Sequence, residues 1–162
     1  MFWETLGDYL WIFLISMVPI VELRGAIPVA AAMGLNPLIY YPVAVIGNML
    51  PVPFIFLFAR KVLVWGADKP VIGKAFTWIL QKGGKAGLKL QKKGSAGLFA
   101  GLLLFVGIPL PGTGAWTGTL AASILNMKFK HASLAVMLGV LLAGIIMSVG
   151  SEVVAWAVGL FA

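Results

Sequence analysis

The sequence predicts an all-α integral membrane protein, with two re-entrant helical hairpins and transmembrane helices arranged as an inverted repeat. Three observations predict it. The 162-residue chain is 61% hydrophobic and 10% charged, with a mean hydropathy of +1.04. A soluble domain of this size would lack the polar groups needed to cover its surface. Four apolar stretches follow one another, and the first and third are broken near their middles by proline and glycine. Finally, those two broken stretches align when the chain is shifted by 90 residues.

The elements are taken in order along a single membrane domain, 1–162. Repeat 1 covers 9–59. Its broken stretch, 9–35, is interrupted at 19–28 by Pro19, Glu22, Arg24, Gly25 and Pro28. With the break counted in, each half is about 10 to 15 residues long, too short to span and suited to a re-entrant segment. The following stretch, 37–59, carries no charge and reads as an ordinary span. Repeat 2, 96–150, has the same plan. It is broken at PLPGTG, which contains Pro109 and Pro111, and is followed by an apolar span at 132–150. The tail, 151–162, reads either as an outer interfacial helix or as part of a further short membrane helix.

Between the repeats lies a basic linker, 60–95. Arg60, Lys61, Lys69, Lys74, Lys82, Lys85, Lys89, Lys92 and Lys93 face one acid, Asp68. Its place between membrane segments favours a cytoplasmic loop near anionic lipid over a nucleic-acid surface. The lysines recur at helical spacing, while Ile72, Phe76, Ile79, Leu80 and Leu90 fall mostly on another side. This predicts an amphipathic helix on the inner leaflet, broken at Gly83 and Gly84. If 96–126 is re-entrant, Lys128, Lys130 and His131 share the cytoplasmic side with the linker. The acidic start (Glu4, Asp8) and Asn36 then lie outside, and that start is not the basic opening of a signal peptide. The expected location is the bacterial inner membrane, multi-pass, with the N-terminus outside.

In the repeat, Leu14 meets Leu104 and Pro19 meets Pro109. Ala31 and Ala32 meet Ala121 and Ala122, and Leu35 and Asn36 meet Leu125 and Asn126. The first hairpin would enter from outside and the second from inside. Matching interrupted segments in inverted repeats point to a transport site near the midplane.

Broken backbone at that depth must be covered by protein or line a wet cavity. Each returning half-helix begins at a tip, where unsatisfied N–H groups and the positive dipole end favour anions. Gly25, Gly112 and Gly114 allow close approach to the backbone, and Thr113 and Thr117 can donate hydroxyls. Trp116 either lines the cavity or packs between helices. Arg24 brings a planar fork suited to phosphate. Glu22 is read two ways: as a structural partner of Arg24 within the tip, or as a proton or cation carrier. His131 is read as interfacial, and Glu152 as a weaker candidate near an aqueous edge.

PLPGTGAWTG lacks the Gly-Lys-Ser/Thr ending of a phosphate loop, so an NTPase is not expected. With no cysteine and one histidine, thiol and metal chemistry are not expected. No nucleophile–base pair is visible, so neither an enzyme nor a cofactor is expected.

ELRGAIP at 22–28, PLPGTGAWTG at 109–118 and the basic middle resemble the bacterial family of small multidrug export proteins. That family is considered a distant relative of the DedA/VTT superfamily, which also has paired re-entrant hairpins and inverted symmetry. The DedA resemblance implies lipid traffic, including movement of undecaprenyl phosphate. In DedA proteins acidic residues in the first hairpin and arginines in the second matter for function. Glu22 matches the first pattern. The second hairpin here has no arginine, a departure from the second.

Three functions follow as expectations. The first is a flippase for an anionic lipid, with Arg24 and the tips holding the phosphate and Glu22 coupling a proton or cation. The second is a proton-coupled exporter of cationic drugs. The third is a non-transporting membrane scaffold that works through its basic middle. The expected partners are membrane lipids, and so few spans suggest that a homodimer encloses the pathway.

Overall fold

The computed structural model describes residues 2–19, 21–70, 73–78, 81 and 94–161, and every regular element among them is helical. The elements are α1 (Phe2–Met17), α2 (Glu22–Ala32), α3 (Pro37–Met49), α4 (Val52–Ala67), α5 (Gly94–Gly107), α6 (Ala115–Ile124) and α7 (Phe129–Phe161). A further helical piece covers 73–78, which includes Lys74 and Phe76. The rest of the expected amphipathic helix, including Ile72, Ile79, Leu80, Lys82, Gly83, Gly84, Lys85, Lys89, Leu90, Lys92 and Lys93, lies outside the described residues.

Helix ends fall where the sequence cannot continue them. α1 stops at Met17, just before Val18-Pro19, because proline disfavours helical backbone in the residue before it. α2 then starts at Glu22, whose φ of 50° is left-handed and rare outside glycine. Pro28, expected to mark a break, lies inside α2 instead. Its missing N–H removes one bond, and the helix carries on to Ala32.

α2 ends in a Schellman turn. Gly34 takes a φ of +68°, its N–H donates to Ala31 O at 3.0 Å, and Leu35 N–H donates to Ala30 O at 3.1 Å. α6 ends in the same way. Asn126 takes a φ of 54°, donating to Ser123 O at 3.2 Å while Met127 N–H donates to Ala122 O at 3.1 Å. Gly34 and Asn126 therefore hold the same place in their turns, and they lie 92 residues apart. α1 and α5 end 90 apart, at Met17 and Gly107. The gap-free alignment of Asn36 with Asn126 is thus corrected, because the second turn (108–114) is longer than the first. Asn36 has another task. Its Oδ1 accepts from Leu38 N–H at 3.0 Å and caps α3, with Pro37 in the first helical position.

Two stretches are long and apolar enough to cross a membrane among the described residues, Pro37–Ala59 and Phe129–Val154. The first is not one regular helix. Pro51 lacks an N–H and splits it into α3 and α4, although Leu50 and Pro51 keep helical backbone. α4 continues past Ala59 to Ala67, into the segment assigned to the linker. At the other end, the tail after Gly150 is no separate helix. It extends α7, whose 33 residues cover about 50 Å at 1.5 Å each. α2 and α6, with 11 and 10 residues, reach only about 15 Å, half of a typical ~30 Å hydrocarbon core.

α1 packs on α2 and α3, and α5 packs chiefly on α7. The second helix of each hairpin crosses to the other half: α2 rests on α7, and α6 rests on α4. Side-chain bonds also join the halves, one from α3 to α7 and one at the α6–α4 crossing. Tyr41 Oη donates to Leu141 O at 2.9 Å, and Ser123 Oγ donates to Phe56 O at 2.9 Å.

The interior is lined by small residues, among them Ala26, Ala30, Ala44, Ala115, Ala122 and Ala135, while Leu10, Trp11, Phe54, Trp65 and Ile145 face outward. Packing between small residues lets backbones approach closely without a hydrophobic drive, as suits an apolar surrounding. The α5–α7 seam shows this best. A Cβ on Gly139 would lie 2.7 Å from Val106 Cβ and 2.8 Å from Leu103 O. Gly139→Leu should therefore separate α5 from α7 and cost about 2 kcal/mol or more. Gly101→Leu, at a mid-helix position with open space around it, should not destabilise and should add up to about 1 kcal/mol. Thermal unfolding of both variants in detergent checks the contrast.

Candidate functional site

The two hairpin tips meet, and the first tip's charges serve the second tip's backbone. Glu22 is 5% exposed. Its Oε1 accepts from Trp116 N–H at 3.0 Å and its Oε2 accepts from Ala115 N–H at 3.3 Å. Those are the first two amides of α6, which have no partner within their own helix. The carboxylate thus caps the positive end of α6.

Arg24 does the converse. Its guanidinium donates to Val106 O at 3.1 Å, to Ile108 O at 3.4 Å and to Leu110 O. These are carbonyls at and just beyond the C-terminal end of α5, the negative end of its dipole. A third tie runs the other way. Trp116 Nε1–H donates to Met17 O, at the last turn of α1, at 3.2 Å.

Local sequence explains the reach of these groups. The left-handed backbone at Glu22 directs the chain into α2 immediately after the turn, so Glu22 and Arg24 both fall in the first turn of the helix. Gly114 leaves room for the carboxylate, since a Cβ there would collide with Glu22 Oε2. Gly112, at φ +80°, supplies the left-handed residue of the second turn.

A cavity of about 800 Å³ opens between the tips and α4, with mainly apolar walls. Among the residues singled out from sequence, Pro19, Glu22, Arg24, Gly25, Pro109, Pro111, Gly112, Thr113, Trp116 and Thr117 all border it. Gly114 sits behind it, against Glu22. Pro28 does not border it.

The roles of the polar groups differ from those expected of an open anion site. The α6 amides already hold a carboxylate, and Arg24 already holds carbonyls. Glu22 and Arg24 bond the other hairpin's backbone rather than each other. The Thr113 hydroxyl is directed at Ile108 O (2.9 Å) and Leu110 O (2.8 Å), closing its own turn. The Thr117 hydroxyl lies 3.4 Å from Gly114 O. Trp116 both lines the cavity and ties helices together.

Two features were not foreseen. The facing wall comes from α4, through Ile55 and Phe58, which nothing marks within the evenly apolar stretch 37–59, and through Val62 and Leu63, which fall within the segment assigned to the linker. The other is Asn48, 2% exposed beside the cap. As a lone polar residue in the middle of 37–59 it was visible in the sequence.

The cap has a direct consequence. Glu22→Ala strips two buried amides of their acceptor and should cost about 1–3 kcal/mol. Gly114→Ala pushes the same carboxylate away and should cost a similar amount. Because both remove one interaction, the double variant should be little worse than either single variant. Unfolding midpoints of the four proteins check this, and full additivity would contradict the shared contact.

Comparison with curated proteins gave no match, and comparison with solved structures gave none. A family match was found, to the family described as "Putative small multi-drug export protein", and it extends over residues 22–146. It begins at the first residue of α2 and spans α2, α3, α4, α5, the second tip, α6 and most of the membrane-crossing part of α7. The chain carrying these interlocked tips belongs to the small multi-drug export protein family.

Proposed function

We propose that this protein is a membrane transporter of lipophilic compounds, with the cavity between the hairpin tips as its binding site and a proton on Glu22 as its coupling ion. The observation that carries this reading is the double position of Glu22. Its carboxylate holds the second hairpin by the start of α6, and the residue also borders a cavity of about 800 Å³. That size and apolar lining suit a drug-sized ligand. A proton on the carboxylate removes the charge that the α6 dipole favours, which loosens the tips. A cationic compound beside the carboxylate would compete with that proton.

A second reading, flipping of an anionic lipid such as undecaprenyl phosphate, is favoured by one observation. The two α6 amides and Arg24 form a set of donors around the cap. A phosphate could take those donors only after Glu22 leaves them. In the resting arrangement the protein's own carboxylate fills the place, so the export reading ranks first.

The membrane arrangement is part of the proposal. Both hairpins are read as re-entrant and the halves as an inverted repeat. Three things support this: α2 and α6 are too short to cross, the halves exchange contacts, and Asn36 N–H donates to Tyr9 Oη at 3.2 Å. That bond joins the middle of α1 to the turn before α3 and suits a hairpin whose two arms run side by side. Lys61 over Phe58 (5.8 Å) and Lys69 over Trp65 (4.6 Å) suit an interface at the end of α4. The basic linker would face the cytoplasm of a bacterial inner membrane, and a homodimer would enclose the partly open cavity.

Proteoliposomes with an acidic interior decide between the readings. Wild type should accumulate tetraphenylphosphonium down the proton gradient, and Glu22→Gln should do so at least about tenfold more slowly. Equal rates would overturn the coupling role. Translocation of a fluorescent polyprenyl phosphate without accumulation of the cation would move the second reading to first place.

A further inference from the structure

Glu22 also borders a second, much smaller cavity of about 10 Å³. That is close to the space one water molecule needs. Its walls are Leu23 and Arg24 of α2, Asn48 of α3, Val106 of α5, Val140 and Ala143 of α7, and the backbone at Gly114 and Ala115. Asn48 is 2% exposed, and its Oδ1 has no hydrogen-bond partner. A buried amide oxygen is ordinarily paired with protein or with an ordered water. The compartment therefore offers an acceptor at Asn48, an acceptor at Glu22, a donor at Arg24, and otherwise apolar walls.

We propose that this compartment binds a single water that links Glu22 to Asn48, and that Asn48 is a positioning residue for the proton on Glu22. The inference rests on the proton-coupled reading above. The water donates one hydrogen to Asn48 Oδ1 and the other to the Glu22 carboxylate, and it accepts from Arg24. When Glu22 gains a proton from the aqueous pathway, its new O–H donates to the same water, which keeps its bond to Asn48. The water so keeps the Glu22 carboxyl bonded to Asn48 in both protonation states, while the contact with the α6 amides weakens as the charge that faced them is lost.

A small metal cation fits less well. The compartment offers too few oxygens, and it already includes the Arg24 guanidinium. Arg24 is the charged group that faces Glu22 here. α3 contributes only the Asn48 amide, α6 only backbone amides, and α5 and α7 only apolar side chains.

Infrared difference spectroscopy of the full chain in bilayers tests this. The C=O stretch of protonated Glu22 is assigned by its absence in Glu22→Gln and followed across roughly pH 4 to 10. Asn48→Leu should move the midpoint by about one pH unit or more and shift the band. Asn48→Ser, which keeps a polar group and space for water, should stay near wild type. A water O–H band sensitive to H₂¹⁸O should be present in wild type and missing in Asn48→Leu. If Asn48→Leu does not fold, Asn48→Ala, with the same loss of the acceptor, replaces it. A midpoint unchanged in every Asn48 variant would overturn the inference and leave the transport reading standing. Bleaching of the band by sodium at constant pH would make the compartment a cation site and also overturn it. No titrating band at all would overturn the proton reading beneath it.

Discussion

A helix that stops inside an apolar protein leaves amides at its start and carbonyls at its end with no water to bind them. Four helix ends meet at the tips of this chain, and they are satisfied mostly across the two halves rather than within them. The Glu22 carboxylate takes the start of α6, the Arg24 guanidinium takes the end of α5, and the Trp116 indole takes a carbonyl at the end of α1. Neither hairpin is complete alone. The cost of an unpaired backbone group in an apolar setting is several kcal/mol, so these few contacts weigh more than their number suggests. They also fix where the halves meet, and the large cavity follows from that meeting.

The same contacts shape the chemistry. A carboxylate and a guanidinium side by side would have made a self-contained pair. Here each charge is set against a helix dipole of opposite sign. The tip is therefore locally balanced, yet moving one proton disturbs a contact between the two halves. A cavity with apolar walls and one such group suits a transporter better than a fixed anion receptor, whose donors would have to be free. The small compartment at Asn48 sits beside this group, where a single water can matter most.

Much of this was legible in the sequence, and the parts that were not have physical reasons. The broken stretches gave the hairpins because Pro19, Pro109 and Pro111 act locally. Residues chosen for chemistry alone border one cavity, since charges and flexible backbone are costly at depth and collect where they are needed. The partners of those residues were not legible. That Glu22 would find Ala115 and Trp116 depends on the packing of α2, α6, α4 and α7, which no local pattern records. Pro28 misled because a proline inside a short helix can remove one bond without ending the helix. Asn36 and Asn126, paired in the sequence, do different work, because Asn126 takes the left-handed cap that Gly34 takes after α2, while Asn36 caps a helix start. The split at Pro51 was visible but masked by the even hydropathy of 37–59.

The central claim is that the Glu22 carboxylate occupies the start of α6. Solid-state NMR in bilayers, with ¹³C at Glu22 Cδ and ¹⁵N at the Trp116 amide, measures it directly. An oxygen 3.0 Å from that nitrogen predicts strong dipolar dephasing between the two labels. Absence of dephasing in well-folded protein would contradict the interlock, and with it the account of the cavity and of its coupling.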